Sequence, residues 1–353
     1  MSRRSAAASG RLSGDWAGPV RQLSLSLTTK RHQGAAFQLI QVARLSNRYQ
    51  QRKMMNEAPT VASGRVRVGV VQLAMRPMSG PEAFFEHVSF FIEAMAGYGA
   101  DFVCFPEYVN APLMAPWKAD GAPAAIRQLA GITAATRDFF SREAVAKGIN
   151  VLTGSLPLVE DDLLYNVVYL CRRDGSVEEQ RKIHATPSEE SEWQMVGGDR
   201  LEVFDTDAGR VGILICYDVE FPELGRLLAA EGLQILFVPF CTDTASGFHR
   251  VRYCAQARAI ENECYVVAAG SVGNLPGVAN MDFQYARSAV FTPSDYDFPE
   301  NAILTEAPAG LETALIADLD LGHLENLHRR GSVRNLRQRR TDFYRVERVA
   351  RGE

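Results

Sequence analysis

No apolar run in this 353-residue chain approaches the roughly 20 residues needed to span a bilayer. The sequence has no Cys-x-x-Cys pair, no His-Glu-x-x-His, no Gly-x-Ser-x-Gly elbow and no phosphate-binding P-loop. These absences set aside a membrane-spanning protein, a zinc protease, an elbow-type serine hydrolase and a nucleotide-triphosphate site. The six histidines are scattered without ligand spacing, so we expect neither metal nor cofactor, and we read His184 and His249 as structural. The six cysteines (Cys104, Cys171, Cys216, Cys241, Cys254, Cys264) sit mostly inside apolar stretches, the usage of a reduced, cytoplasmic chain rather than a disulfide framework.

Acidic residues are scarce in one region. Residues 1–60 carry ten Lys or Arg against only Asp15 and Glu57, a net +8 that leaves −12 for the rest. That Ser-, Ala- and Arg-rich composition is that of a transit peptide, which would place the protein in mitochondria or plastids. The other reading is a mis-assigned start, with translation beginning at Met54 or Met55. Either way we expect 1–60 to be a disordered extension. The total charge of −4 gives no reason to expect nucleic acid or an anionic membrane as partner.

From residue 65 the pattern becomes regular. "RVRVGVVQLA" (65–74) alternates as a strand, and Phe84, Phe85, Val88, Phe91, Ile92 and Met95 recur at helical spacing. "DFVCFPE" (101–107) reads as a buried strand, 123–147 as one helix, and "NVLTGSLPLV" (150–159) as the next strand. "NVVYLCRR" (166–173) and "SVEEQRKIH" (176–184) form a hairpin through Asp174-Gly175. The strand "RVGILIC" (210–216) precedes a helix opened near Pro222. "LQILFVPF" (233–240) is a buried strand, and a helix over 247–262 leads to the strand "CYVVAAG" (264–270). Further strands are expected at 285–292 and 311–318. Alternating strands and helices around one hairpin predict an α/β protein with helices outside and sheets inside. We read 65–320 as one domain and 321–353 as an arginine-rich C-terminal arm. Leu324, Leu327, Val333, Leu336, Phe343 and Tyr344 would let that arm dock.

Three stretches place a reactive group at or near the end of an apolar strand: Glu107 in "DFVCFPE", Lys182 in "EQRKIH" and Cys216 in "VGILIC". Reacting groups in open α/β sheets gather at the carboxyl ends of strands. A thiol, a carboxylate and an ammonium there suffice to open an amide-like bond. Cys216 would attack the carbon and form a covalent intermediate. Glu107 would take the thiol proton, pass it to the departing amine and then activate water. Lys182 would stabilise the oxyanion, helped by the backbone N–H of Tyr217. Asp218 and Glu223 would raise the thiol pKa if they faced it, so we expect them to turn away. Arg258 and Glu261 read as a helical pair at i,i+3 spacing.

The blocks "FPEY", "RKIH" and "CYDVEFPE", in that order, resemble the signature segments of the nitrilase superfamily of carbon–nitrogen hydrolases. "QARAIENECYVVAAGSVG" (256–273) resembles the family's helix-to-strand segment after the nucleophile. The resemblance covers about 65–320 and implies a four-layer αββα sandwich, with Glu107 as general base, Lys182 as oxyanion stabiliser and Cys216 as nucleophile. It also implies a second glutamate, for which Glu189, Glu190 and Glu192 are candidates and Glu190 fits the amidase-type spacing. Tyr217-Asp218 after the cysteine looks like the amidase and carbamoylase branches. The implied activity is hydrolysis of a small linear amide with water, releasing ammonia, by a homodimer or larger homo-oligomer. An N-carbamoyl substrate is the alternative, and a non-catalytic scaffold of the same fold is the alternative from another class. Specificity is expected from the loops 108–120 and 274–284.

Overall fold

Alternation in the first strand, β1 (Arg65–Gln72), sends Val66, Val68 and Val70 into one apolar core and Val71 into another. The computed structural model, which describes residues 64–349, shows two sheets that make this necessary. After β1 come β2 (Ala74–Met75), α1 (Pro81–Gly97), β3 (Phe102–Cys104), α2 (Ala122–Ala130) and α3 (Thr133–Lys147). Then follow β4 (Asn150–Glu160), β5 (Leu163–Cys171), β6 (Val177–Arg181), β7 (Val203–Thr206) and β8 (Gly209–Ile213). The remainder comprises α4 (Pro222–Ala230), β9 (Ile235–Phe240), α5 (Ala245–Asn262), β10 (Tyr265–Gly270) and β11 (Val272–Gly273). Strands β12 (Ala289–Phe291), β13 (Ile303–Glu306) and β14 (Thr313–Asp320) precede the last helix, α6 (Leu321–Arg330).

The six-stranded sheets run β14-β1-β3-β4-β5-β6 and β13-β12-β10-β9-β8-β7, while β2 pairs with β11. Central pairs β1–β3, β3–β4, β8–β9 and β9–β10 are parallel. The flanking pairs are antiparallel. Successive side chains leave a strand on opposite faces. Phe102, Cys104, Leu152 and Val168 therefore enter the core between the sheets, where the Phe102 and Phe237 rings stand 5.3 Å apart. Val103, Val151 and Val167 point the other way, beneath Phe84, Val88, Ile92 and Phe140 of α1 and α3. Leu228 of α4 and Val251, Ala255 and Ala259 of α5 cover the second sheet. The result is the four-layer αββα sandwich.

The structure departs from the sequence pattern locally. The helix expected over 123–147 is two, α2 and α3, because Gly131, a poor helix former, closes the first with N–H bonds to Arg127 and Gln128. Strands β7 and β13 were not foreseen, and the strand expected at 285–292 shrinks to β12. Helix α6 buries Leu321, Leu324 and Leu327 in the same apolar cluster as the second sheet, so the folded body continues past residue 320. Beyond it Val333, Phe343 and Tyr344 are exposed. The segment is held instead by polar contacts: the Leu336 N–H donates to Glu263 at 3.0 Å, and Arg348 pairs with Glu231 at 2.7 Å. The basic extension, 1–60, lies outside the described residues. Among those described, no helix is long and apolar enough to cross a membrane.

Candidate active site

Past the end of β3, the chain turns at Phe105-Pro106-Glu107, and Tyr108 adopts a left-handed φ of 51°. Strand β4 braces this turn through an irregularity between Leu152 and Ser155. Ser155 accepts the Tyr108 N–H on its hydroxyl at 3.0 Å and the Val109 N–H on its carbonyl at 3.2 Å. Lys182 lies one residue past β6. Its N–H donates to the Asn166 carbonyl (2.8 Å) and its carbonyl accepts from Gly198 (2.7 Å). A Cβ at the neighbouring Gly197 would stand 2.2 Å from the Ile183 carbonyl oxygen, so only glycine admits this approach.

The third element carries Cys216. Strand β8 stops at Ile213, and Cys216 opens a 3-10 turn, Cys216–Glu220, with φ of 49°. Such a conformation is costly for a residue with a Cβ and persists only where its surroundings over-determine it. Two residues hold it here. The buried Asp218 turns from the sulfur and accepts the backbone N–H groups of Ile183 (3.0 Å) and His184 (2.8 Å), lashing the cysteine turn to the lysine segment. Arg258, paired with Glu261 at 2.6 Å, donates to the Val219 carbonyl at 3.0 Å. Glu223 is exposed on α4.

These three elements bring Glu107, Lys182 and Cys216 together, at 1%, 3% and 6% exposure, with Glu189 at 4%. Out of bulk water, each charge must find its partner inside. The Lys182 ammonium donates to Glu107 Oε1 at 2.9 Å and to both Glu189 oxygens at 2.8 Å. Asn166 bridges the carboxylates, donating to Glu107 at 2.9 Å and Glu189 at 3.2 Å. The Tyr108 hydroxyl donates to Glu189 at 2.5 Å. Cys216 Sγ lies 3.6 Å from the Cys241 carbonyl, and the charges of Glu107 and Lys182 both act on the thiol.

Glu190 and Glu192, by contrast, are exposed. The second glutamate at the lysine is Glu189, one position from the spacing-based choice. The reason is a local turn: Thr186 Oγ1 accepts the Glu189 N–H (3.2 Å), and Glu189 Oε2 accepts the Thr186 N–H (2.7 Å). This reciprocal capping box fixes which acid of the run turns inward. "TPSE" (186–189) carries that signature, and an Asn inside the apolar strand "LLYNVVYLC" marks Asn166. Tyr108 carried no such signal.

Environment separates the ionisable groups. Burial pushes Glu107 above the ordinary carboxylate range, and Lys182 only partly opposes it. Burial pushes Glu189 the same way, but Lys182, the Thr186 N–H and Tyr108 outweigh it and hold this carboxyl below its usual value. Burial works against the Lys182 charge, yet Glu107 and Glu189 keep its pKa well above that of ordinary lysine. Burial, then the Glu107 charge, lifts Cys216 well above the ordinary thiol. These surroundings thus favour a neutral Cys216 thiol, raise the proton affinity of Glu107 and favour an ammonium–carboxylate pair between Lys182 and Glu189.

Of the remaining expected residues, half-buried Tyr217 begins the turn after the thiol and packs edge-on against Phe221 at 4.9 Å. His184 stacks on Phe221 at 3.7 Å, with Nδ1 3.0 Å from Asp218, while His249 is exposed. The loop 274–284 reaches the site's surroundings: Met281 Sδ lies 3.8 Å from Cys241 Sγ, and Asn280 donates to the Ser188 carbonyl at 3.4 Å. Among the described residues, no group of three or more His, Cys, Asp and Glu could hold a metal ion.

The chain is 41% identical over 282 residues to the probable hydrolase YhcX of Bacillus subtilis, which covers 80% of this chain and 55% of that protein. The chain therefore spans little more than half of that relative. It is 30% identical over 298 residues to the chloroplastic omega-amidase of Arabidopsis thaliana, 81% of this chain and 76% of the relative. Among solved structures, Saccharomyces cerevisiae Nit3, a nitrilase-superfamily member, superposes with a TM-score of 0.62 at 25% identity, over 76% of this chain and 94% of that one. The carbon-nitrogen hydrolase family model matches residues 67–329, from β1 to α6 and through all three site-bearing turns. The chain belongs to the carbon–nitrogen hydrolase family.

Proposed function

We propose that the protein hydrolyses the carbon–nitrogen bond of a small linear amide, with Glu107, Lys182 and Cys216 supplying the chemistry. The observation that carries this reading is one buried ammonium held between two buried carboxylates, with a buried thiol on the turn that Asp218 ties to the lysine segment. Cys216 Sγ attacks the carbonyl carbon as its proton passes to Glu107, so no free thiolate need accumulate. The oxyanion forms beside Lys182 Nζ and the Tyr217 N–H. Glu107 returns the proton to the nitrogen, the C–N bond breaks and ammonia leaves a thioester on Cys216. Water then gives a proton to Glu107 and attacks the thioester. The C–S bond breaks, and the sulfur recovers its proton. The omega-amidase name of the Arabidopsis relative supports an amide as substrate.

The test is a panel of linear amides and N-carbamoyl compounds, read by ammonia release and by intact mass. An acyl adduct on Cys216 and loss of turnover in Cys216→Ala are expected. Ammonia release that survived the alanine variant would sink the thioester route, and carbon dioxide alongside ammonia would move the substrate to the carbamoyl class. We also propose that copies of the chain pair through their outer helices. The exposed face of α5 presents Tyr253 stacked on His249, 5.4 Å between ring centroids. Tyr253→Glu should lower the mass seen by light scattering, and an unchanged mass would place the contact elsewhere.

A further inference from the structure

Glu107 and Glu189 share one lysine, but the hydrolytic sequence needs one travelling proton and one fixed anion. Lys182 and Asn166 do not separate the two carboxylates, since each donates to both. Tyr108 does. Its hydroxyl donates to Glu189 Oε1 at 2.5 Å, and its other polar neighbour is Met195 Sδ at 3.1 Å, a group with no proton to exchange. The phenol is held in this direction. Its backbone is fixed at φ 51° by the Ser155 hydroxyl, and its ring packs edge-on against Trp193 at 5.0 Å. The side chain is buried, directly follows Glu107 in the chain and yet serves the other carboxylate.

We propose that Tyr108 is a positioning residue whose hydroxyl keeps Glu189 the permanent anion of the pair and thereby assigns the travelling proton to Glu107. This rests on the hydrolase reading above. Burial and the two carboxylates raise the phenol well above its ordinary value, so it stays a donor across any working pH. Removing the hydroxyl takes one donor from a buried anion and raises that anion's affinity for protons. The last proton then leaves the coupled pair at higher pH, and the acid limb of activity moves upward.

The experiment is Tyr108→Phe on the full chain, with two readouts. The first is kcat/KM against pH on the best amide: the acid limb should rise by about one pH unit and kcat fall about tenfold, with KM within about twofold. The second needs no substrate: the pH dependence of Cys216 alkylation by iodoacetamide, read by peptide mass, should show the same upward shift. If no amide is turned over, the hydrolase reading fails while the alkylation profile still judges Tyr108. Should the phenylalanine variant not fold, 3-fluorotyrosine at 108, a stronger donor of nearly the same shape, should move the limb the opposite way. An acid limb unchanged in both readouts would reduce Tyr108 to a packing residue and overturn the proposal.

Discussion

The carbonyl oxygen of Pro106 lies so close to Gly154 that a Cβ there would stand 2.1 Å from it. Gly154 also holds φ at 71°, which side chains resist. Strand β4 thus reaches the Glu107 turn through bare backbone. We predict that Gly154→Ala displaces Glu107, lowering activity by more than about tenfold and stability by about 3 kcal/mol. Urea denaturation beside steady-state kinetics checks both, and parental values for each would mean the turn can step aside.

Glu189→Gln and Glu190→Gln should behave oppositely. Glutamine still serves at the third position of a capping box, so the Glu189 variant should fold. It removes one of the two charges on Lys182, however, and turnover should fall about a hundredfold. Glu190 is exposed, and its variant should stay within about twofold of the parent. Circular dichroism and ammonia release on both proteins decide the matter. An active Glu189→Gln would show that the second carboxylate only packs.

That pair of variants also shows how much of the site could be read from the sequence. Glu107 and Cys216 follow apolar strands, whereas Lys182 follows the largely polar β6, VEEQR, and the three were legible together only through the family-like blocks around them. Strand β1 was legible from alternation, as Val68 and Val71 show by entering different cores, and the central strands from their apolar runs, while the short β7 and β13 at the sheet edges carried neither pattern. Glu189 needed the reciprocal bonds with Thr186, which distinguish it from two neighbouring acids by geometry rather than type. Tyr108 was beyond reach. Its partner is 81 positions away, and the two meet only because β4 and the lysine segment fold back on the Glu107 turn.

Asp218 joins two of those turns, so its charge should matter more than its volume. Both oxygens face backbone N–H groups, of Ile183 and of His184. An asparagine would set its NH2 group against one of them. We predict that Asp218→Asn loses about 2 kcal/mol of stability through the unsatisfied donor. Because Cys216 and Lys182 would move apart, kcat should fall about tenfold or more while KM changes little. Denaturant titration and substrate saturation measure the two effects, and a rise in KM alone would mean that Asp218 shapes the pocket instead.

Glu312 offers a prediction about acid stability. Its carboxylate accepts the Ala74 N–H, His87 Nε2 and Arg76 Nη1, each at 2.9 Å. Against the burial that opposes its charge, these bonds hold its pKa at about 2, from an ordinary 4.5. A carboxyl depressed in the folded state stabilises the fold above its unfolded pKa and ceases to do so as pH falls through the folded value. With the side chain 23% exposed, solvent screening reduces the full shift to a contribution of about 2 kcal/mol. Glu312→Gln should therefore be less stable than the parent by about that amount at pH 7. The two stability curves should converge as pH falls from about 4.5 toward 2. Ala74 pairs with Val272 just ahead of the 274–284 loop, so amide exchange in that loop should quicken in the same variant. A gap that stayed constant with pH would mean that Glu312 acts through its shape, and that β2 is held without its charge.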